Sequence, residues 1–299
     1  MRFSLPKLYP ILFPNIRKFD VTMRDGLESI PKKYTLDDKK AILNKLMNVY
    51  KPEALEIGSL ISSKLYPQMN KSYELYNYAN NLYNKNQKVC DFYLLIPPTY
   101  KHLNSAIKKN IRNISLVTSV SDKYQKQTYN QSIEETKDII KNVLNSSPLS
   151  KPFDNVKLYV SCITNCPMSG KQDNEHIVNQ LYDYLHMDGI SNVCLTDTCG
   201  NMRYNDFTHI IDYLNIEMNY KLDKLSLHLH TNDNMKYYTT DAIIKYAIYN
   251  NIKKFDLTNF DNIYFGNGII TVDVKQFNNN LTYNRLYESI YNIFTYGQK

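Results

Sequence analysis

Eight short apolar runs, each followed by a longer stretch of helical periodicity, set the strongest limit on how this chain can fold. The runs are Lys18–Thr22, Ala54–Gly58, Val89–Leu95, Asn113–Thr118, Val156–Ser161, Val193–Asp197, Leu225–His230 and Lys254–Leu257. Helical patterns lie near Leu36–Tyr50, Gln68–Asn84, Tyr100–Lys109, Ser132–Asn145, Asn174–His186, Asn205–Leu214 and Asn234–Tyr249, with a closing one at Arg285–Phe294. Strands that alternate with helices build βαβ units and a parallel sheet. The crossover in such a unit is right-handed, and eight in succession close into a (β/α)8 TIM barrel, the α/β fold predicted here. The usual size of that fold, about 250 residues, suits a chain of 299. No linker or low-complexity segment divides the sequence, and Ser146–Asn155, with Pro148 and Pro152, reads as a long connection. A single domain, 1–299, is expected, with the barrel proper at about 16–295.

A barrel of this kind carries its chemistry on the loops at the C-terminal ends of its strands. Charged and metal-competent side chains fall at that end in one run after another. The first leads into Asp20-Val-Thr-Met-Arg-Asp-Gly and delivers Arg24 and Asp25. The second carries Glu56, and the fifth runs into Ser161-Cys162 and Cys166-Pro167. The sixth ends at Asp197-Thr198-Cys199-Gly200 and the seventh at His228 and His230, while Phe265-Gly266-Asn267-Gly268 follows the eighth.

On a strand, residues two apart point to one face, so His228 and His230 aim their imidazoles at one place. Neutral imidazole is the commonest protein metal ligand. With the Asp25 carboxylate and the Asn267 amide it makes a mixed nitrogen and oxygen set suited to a divalent ion such as Mg, Mn or Zn. Four protein ligands around an octahedral ion leave two positions for a chelating substrate, and a Lewis acid there stabilises an enolate as a C–C bond breaks or forms. Arg24 would set a guanidinium over the enolate oxygen. Glu56, Asp197 and His228 are the candidate catalytic groups. Lys32 and Lys33, close to Arg24 in sequence, would line a groove for an anionic substrate.

Each assignment has a structural competitor. A His-x-His can simply end a strand with hydrogen-bonded rings, and an Arg-Asp pair at a strand end is often an ion pair. Asp197 before Thr198 suits a turn or a helix cap, and Gly266-Asn267-Gly268 suits a plain turn. Glu56 on a barrel strand is harder to explain structurally, because an unpaired buried carboxylate is costly.

Composition excludes several other classes. The net charge of +7 comes from 36 basic and 29 acidic residues, interspersed without the basic stripe of a nucleic-acid footprint. The five cysteines, 90, 162, 166, 194 and 199, read as reduced intracellular thiols and not as a disulfide framework. Cys162 and Cys166 alone are too few for a structural zinc site. No segment approaches the roughly 20 apolar residues of a membrane span. Pro6, Pro10 and Pro14 interrupt the first 20 residues, so neither a signal peptide nor an amphipathic transit helix is read there. A soluble cytoplasmic protein is expected.

Several segments also carry a family resemblance. Asp20-Val-Thr-Met-Arg-Asp-Gly-Leu-Glu28 resembles the opening signature of the DRE-TIM metallolyases, which pair an Arg-Asp-Gly with a His-x-His on the seventh strand. Within that superfamily the chain is most similar to the hydroxymethylglutaryl-CoA lyases. The similar segments are Glu56–Leu60 with Ser63–Met69, Tyr159–Lys171, Leu195–Gly200 and Leu227–Thr231, and the likeness runs from about residue 18 to 275 in the same order. The resemblance implies cleavage of hydroxymethylglutaryl-CoA to acetoacetate and acetyl-CoA with Mg or Mn. It also implies Asp25, His228, His230 and Asn267 as metal ligands, Arg24 as the enolate partner, Glu56 and Asp197 as catalytic acids, and a homodimer. Relatives in the superfamily run aldol or Claisen-type reactions, so the implied substrate is an acyl-CoA or a 2-oxo acid. A barrel that only binds a metal, ligand or protein partner is the alternative. Three positions depart from the family pattern. The interval Thr258–Phe265 has neither the glycines nor the cysteine of the family's loop before the metal-binding Asn. Glu28 stands where the family has Gln, and Thr231 where it has Asp.

Overall fold

The computed structural model describes residues 15–28, 34–146, 151–217, 222–231, 237–259, 264–265 and 278–296. Its strands are β1 (Arg17–Asp20), β2 (Ala54–Ser59), β3 (Asp91–Leu95), β4 (Asn113–Ser119), β5 (Asn155–Ser161), β6 (Asn165–Cys166), β7 (Gly170–Lys171), β8 (Asn192–Thr196), β9 (Leu225–His228), β10 (His230–Thr231), β11 (Lys254–Leu257), β12 (Tyr264–Phe265) and β13 (Asn278–Asn280). The α-helices among the described residues are α1 (Leu36–Val49), α2 (Ser72–Tyr83), α3 (Tyr100–Lys108), α4 (Asp122–Tyr129), α5 (Ile133–Leu144), α6 (Asn174–Leu185), α7 (Tyr204–Asp212), α8 (Tyr237–Tyr249) and α9 (Tyr283–Tyr296). Strands β1, β2, β3, β4, β5, β8, β9 and β11 close into one parallel barrel in that order, so the predicted (β/α)8 architecture is the observed one.

All eight predicted strands are present, with ends shifted by at most two residues. The predicted seventh strand is interrupted: β9 stops at His228, and His230 begins β10 in a separate antiparallel sheet with β13 and β12. One helix was not predicted. Helix α4 is Asp-Lys-Tyr-Gln-Lys-Gln-Thr-Tyr, too polar for apolar periodicity, and it forms between two local caps. Ser121 Oγ accepts from the Tyr124 N–H at its start, and Asn130 ends it in the left-handed region at φ 55°.

Alternation along the strands separates two environments. Leu55 and Ile57, Phe92 and Leu94, Leu158 and Val160, Val193 and Leu195, and Phe255 and Leu257 are buried in one large apolar cluster with helix residues such as Leu43, Leu46, Ile177 and Leu286. Their neighbours face the barrel interior, where contacts join strands that are not adjacent. Lys157 on β5 is ion-paired with Asp256 on β11, and Tyr159 on β5 donates from its hydroxyl to Glu56 on β2 at 3.4 Å. Phe19, Val21 and Tyr93 form a small apolar cluster of their own. The Lys157 and Asp256 side chains are 2% and 0% exposed, so truncating one partner strands a charge. Lys157→Ala should therefore lower the unfolding free energy by about 3–5 kcal/mol, measurable by urea titration.

All five cysteines are free, as expected of reduced thiols. None of the described helices is long and apolar enough to cross a membrane.

Candidate metal centre

The residues between β1 and the first helix do not continue as a strand. Thr22–Gly26 wind into a single π-helical turn, closed by a hydrogen bond from the Gly26 N–H to the Val21 carbonyl at 3.0 Å. Asp20 Oδ1 accepts from the Thr22 N–H at 2.8 Å and fixes the start of that turn. Consecutive strand residues would face opposite ways, but the turn brings Arg24 and Asp25 together. Arg24 Nη1 donates to Asp25 Oδ1 at 2.7 Å, and Arg24 Nε donates to Glu56 Oε2. Glu56 is fully buried on β2, and its Oε1 makes no hydrogen bond. Arg24 also lies over the Tyr159 ring at 5.4 Å.

The two histidines converge despite the break between their strands. His228 Nε2 is 3.1 Å from His230 Nε2 and 3.3 Å from Asp25 Oδ2. One ligand atom from each of Asp25, His228 and His230 lies within 4.8 Å of the others, a grouping able to hold a metal ion. The register Leu227↔Phe255 sets His228 next to Asp256, and His228 Nδ1 bonds Asp256 Oδ2 at 3.1 Å. With Nδ1–H donating there, Nε2 is the nitrogen turned toward Asp25 and His230. A carboxylate behind a metal-facing imidazole fixes its tautomer and raises its basicity. Lys157 in turn holds Asp256, making a buried chain of Lys157, Asp256, His228 and Asp25.

Asn280 completes the cluster. It ends β13, where its backbone pairs with His230, and the Leu281 N–H donates to the Leu229 carbonyl at 3.0 Å. Tyr283, the first residue of α9, donates its hydroxyl to Asp20 Oδ2 at 2.7 Å and ties that segment back to β1. The Asn280 side chain is thereby held against Asp25, with Nδ2 donating to Asp25 Oδ2 at 2.6 Å. Its Oδ1 is buried and makes no hydrogen bond, an unsatisfied oxygen on the side chain that touches Asp25 of the candidate ligand group. An orphaned amide oxygen, a carboxylate and two imidazoles suit a divalent cation.

Electrostatics agree with that donor set. Burial would raise the Asp25 carboxyl, but Arg24, His228 and His230 hold it well below the usual carboxylate range. Burial pulls His228 down, yet its bonds to Asp25 and Asp256 outweigh this and lift it to about 9. Burial and the neighbouring His228 push His230 down to about 4. Without a cation, one proton therefore sits on His228. Its folded value exceeds 6.5, so this stabilisation is present below pH 6.5 and is lost as pH rises through about 9. A metal must displace that proton. Manganese affinity should thus climb with pH up to about 9, with proton release visible by calorimetry in buffers of different ionisation enthalpy.

The other predicted residues divide. Asp197 is buried at the end of β8, and burial raises it to about 7. Its two oxygens accept from the Asn201 and Met202 N–H groups, both at 3.2 Å, so it also shapes its own loop. Glu28 reaches within 3.7 Å of Arg24 Nη1, and burial raises it to about 7. Lys32, Lys33 and Asn267 lie outside the described residues. Sequence reasoning missed Asn280, Asp256, Lys157 and Tyr159. Asn280 carried no sequence signal, since the Asn-Asn-Asn before the last helical pattern has no periodicity.

The HMGL-like family model matches residues 15–241. The 3-hydroxy-3-isohexenylglutaryl-CoA/hydroxy-methylglutaryl-CoA lyase of Pseudomonas aeruginosa is 24% identical over 185 residues, 62% of this chain and 58% of that protein. The mitochondrial hydroxymethylglutaryl-CoA lyase of Arabidopsis thaliana is 22% identical over 72% of this chain and 43% of its own length. The chain thus spans about half the length of the curated relatives it matches. Among solved structures, the hydroxymethylglutaryl-CoA lyase of Brucella melitensis superposes with a TM-score of 0.74 at 18% identity, covering 94% of this chain and 91% of that one. The chain belongs to the HMGL-like family, as a DRE-TIM barrel most similar to the hydroxymethylglutaryl-CoA lyases.

Proposed function

We propose that this chain is a divalent-metal-dependent carbon–carbon lyase acting on a 3-hydroxy-3-methylglutaryl-type acyl-CoA, with acetoacetate and acetyl-CoA as products. The observation that carries this reading is the meeting of Asp25, His228, His230 and the orphaned Asn280 oxygen at one end of the barrel, beside Arg24. These four residues would hold the metal. Asn280 is the amide candidate among the described residues, since it lies against Asp25. A bound Mg or Mn would act as a Lewis acid on the substrate oxygens.

The chain's own groups account for the rest. The substrate's C3 hydroxyl loses its proton, the C2–C3 bond breaks, and the electron pair passes to the thioester as an enolate. Glu56 Oε1, buried and without a hydrogen bond, is the acceptor offered to that hydroxyl. Arg24 keeps Nε and Nη1 on Glu56 and Asp25, so its Nη2 is left to face the enolate oxygen. Asp197, raised to about 7, would exchange a proton at neutral pH and return one to the enolate carbon. Measured to Asn280, the segment after β11 contains Gly266 and Gly268 but still no cysteine, so proton transfer rests on carboxyl groups in this chain. A related lyase from Acinetobacter baumannii was solved with coenzyme A and 3-methylmalate, which supports an acyl-CoA ligand for this fold.

Asn280→Ala tests the ligand set. It should weaken manganese binding by about 10- to 100-fold and lower turnover with it, while Asn280→Asp retains both better. Manganese affinity unchanged in Asn280→Ala would remove Asn280 from the site and with it the orphaned-oxygen argument.

A further inference from the structure

The opposite end of the barrel holds a cavity of about 240 Å³, lined by residues that include Arg17, Lys18, Glu53, Asp91, Lys157 and Lys254. At about 30 Å³ per liquid water, that is room for several waters or one small ion. Its charges do not balance. Glu53 is matched by Lys18, whose Nζ lies 3.6 Å away. Asp91 is matched by Lys88 at 2.6 Å, and Lys157 is committed to Asp256. Two cations remain. Lys254 Nζ donates to the neutral Asp223 carbonyl at 2.6 Å, and Arg17 pairs with no carboxylate among the described residues.

These two cations are also direct neighbours. Arg17 and Lys254 are register partners on β1 and β11, and both line the same cavity. Like charges directly opposite one another across a strand pair are destabilising. Burial, then the charge of Arg17, push Lys254 below its ordinary value against the attraction of Asp223, with Lys157 adding a smaller push. The hydroxyls and amides of the lining are spent within the protein: Ser226 Oγ donates to Asn192, Asn192 Nδ2 to the Lys224 carbonyl and Asn155 Nδ2 to Asn113. Arg17 and Lys254 are the charged groups left to meet a guest.

We infer that this N-terminal mouth is a second binding site, for a small dianion such as inorganic phosphate, clasped between Arg17 and Lys254. Arginine contributes a planar fork and lysine a point charge, a pairing suited to a tetrahedral oxyanion. The site stands apart from the metal centre and does not depend on the proposed lyase activity.

The test is calorimetric titration of the intact, chelator-treated protein with inorganic phosphate, so that no metal can recruit the anion. One phosphate per chain is expected at millimolar concentration or below. Arg17→Gln and Lys254→Gln should each weaken it by about tenfold or more, and the double variant should lose it. Lys157 is left intact because it also serves Asp256. The variants should keep their far-ultraviolet circular dichroism and their manganese affinity, which shows them folded. Absence of phosphate binding in the parent, or binding unchanged in the folded double variant, would overturn the assignment.

Discussion

His228→Ala is expected to lose manganese binding by more than about 100-fold and any lyase turnover by about 10²–10⁴-fold. The size of the effect follows from the position of the ring. His228 touches Asp256 through one nitrogen and faces Asp25 and His230 through the other. Removing it takes away a candidate ligand and leaves the Asp256 carboxylate with Lys157 and the Cys194 thiol. Calorimetry with manganese, run beside a turnover assay, measures both losses. Retention of parental affinity would place the metal elsewhere.

Arg24 should give the second large effect, of a different kind. Its removal takes a donor from the developing enolate, a loss of about 10²–10³ in turnover. Arg24→Ala would also leave Glu56 buried without its cation, at about 3–5 kcal/mol of stability. Arg24→Lys is the better probe, because it keeps the charge and gives up the fork. One ammonium cannot reproduce the paired contacts to Glu56 and Asp25. The expected result is a folded protein with manganese affinity within a few-fold of the parent and turnover down by about 10². Parental turnover in Arg24→Lys would show that the guanidinium does not act on the reacting atoms.

The fold was legible because eight short apolar runs and intervening helical patterns leave few ways to close a chain of this length. The centre was legible in part for the same reason. His228 and His230 share a face by strand geometry, and they still meet although the strand breaks between them. Arg24 and Asp25 were found at a strand end, but the π-turn that brings them together has no sequence pattern of its own. Asp256 and Lys157 were hidden inside runs read as apolar, since a barrel interior admits a charge wherever a partner on a distant strand meets it. Asn280 was hidden more deeply. Asn-Asn-Asn carries no periodicity, and its place depends on long-range pairing with β10 and on the Tyr283 tie to Asp20.

The most direct measurement is to incubate the purified protein with hydroxymethylglutaryl-CoA and Mg or Mn, and to follow acetoacetate. Acetoacetate and acetyl-CoA are expected in equal amounts, lost on chelation, restored by added metal, and absent in His228→Ala. A protein that binds manganese through His228 but yields no acetoacetate would contradict the assigned substrate and turn attention to 2-oxo acids. One that neither binds metal nor cleaves the C2–C3 bond would contradict the metal centre itself.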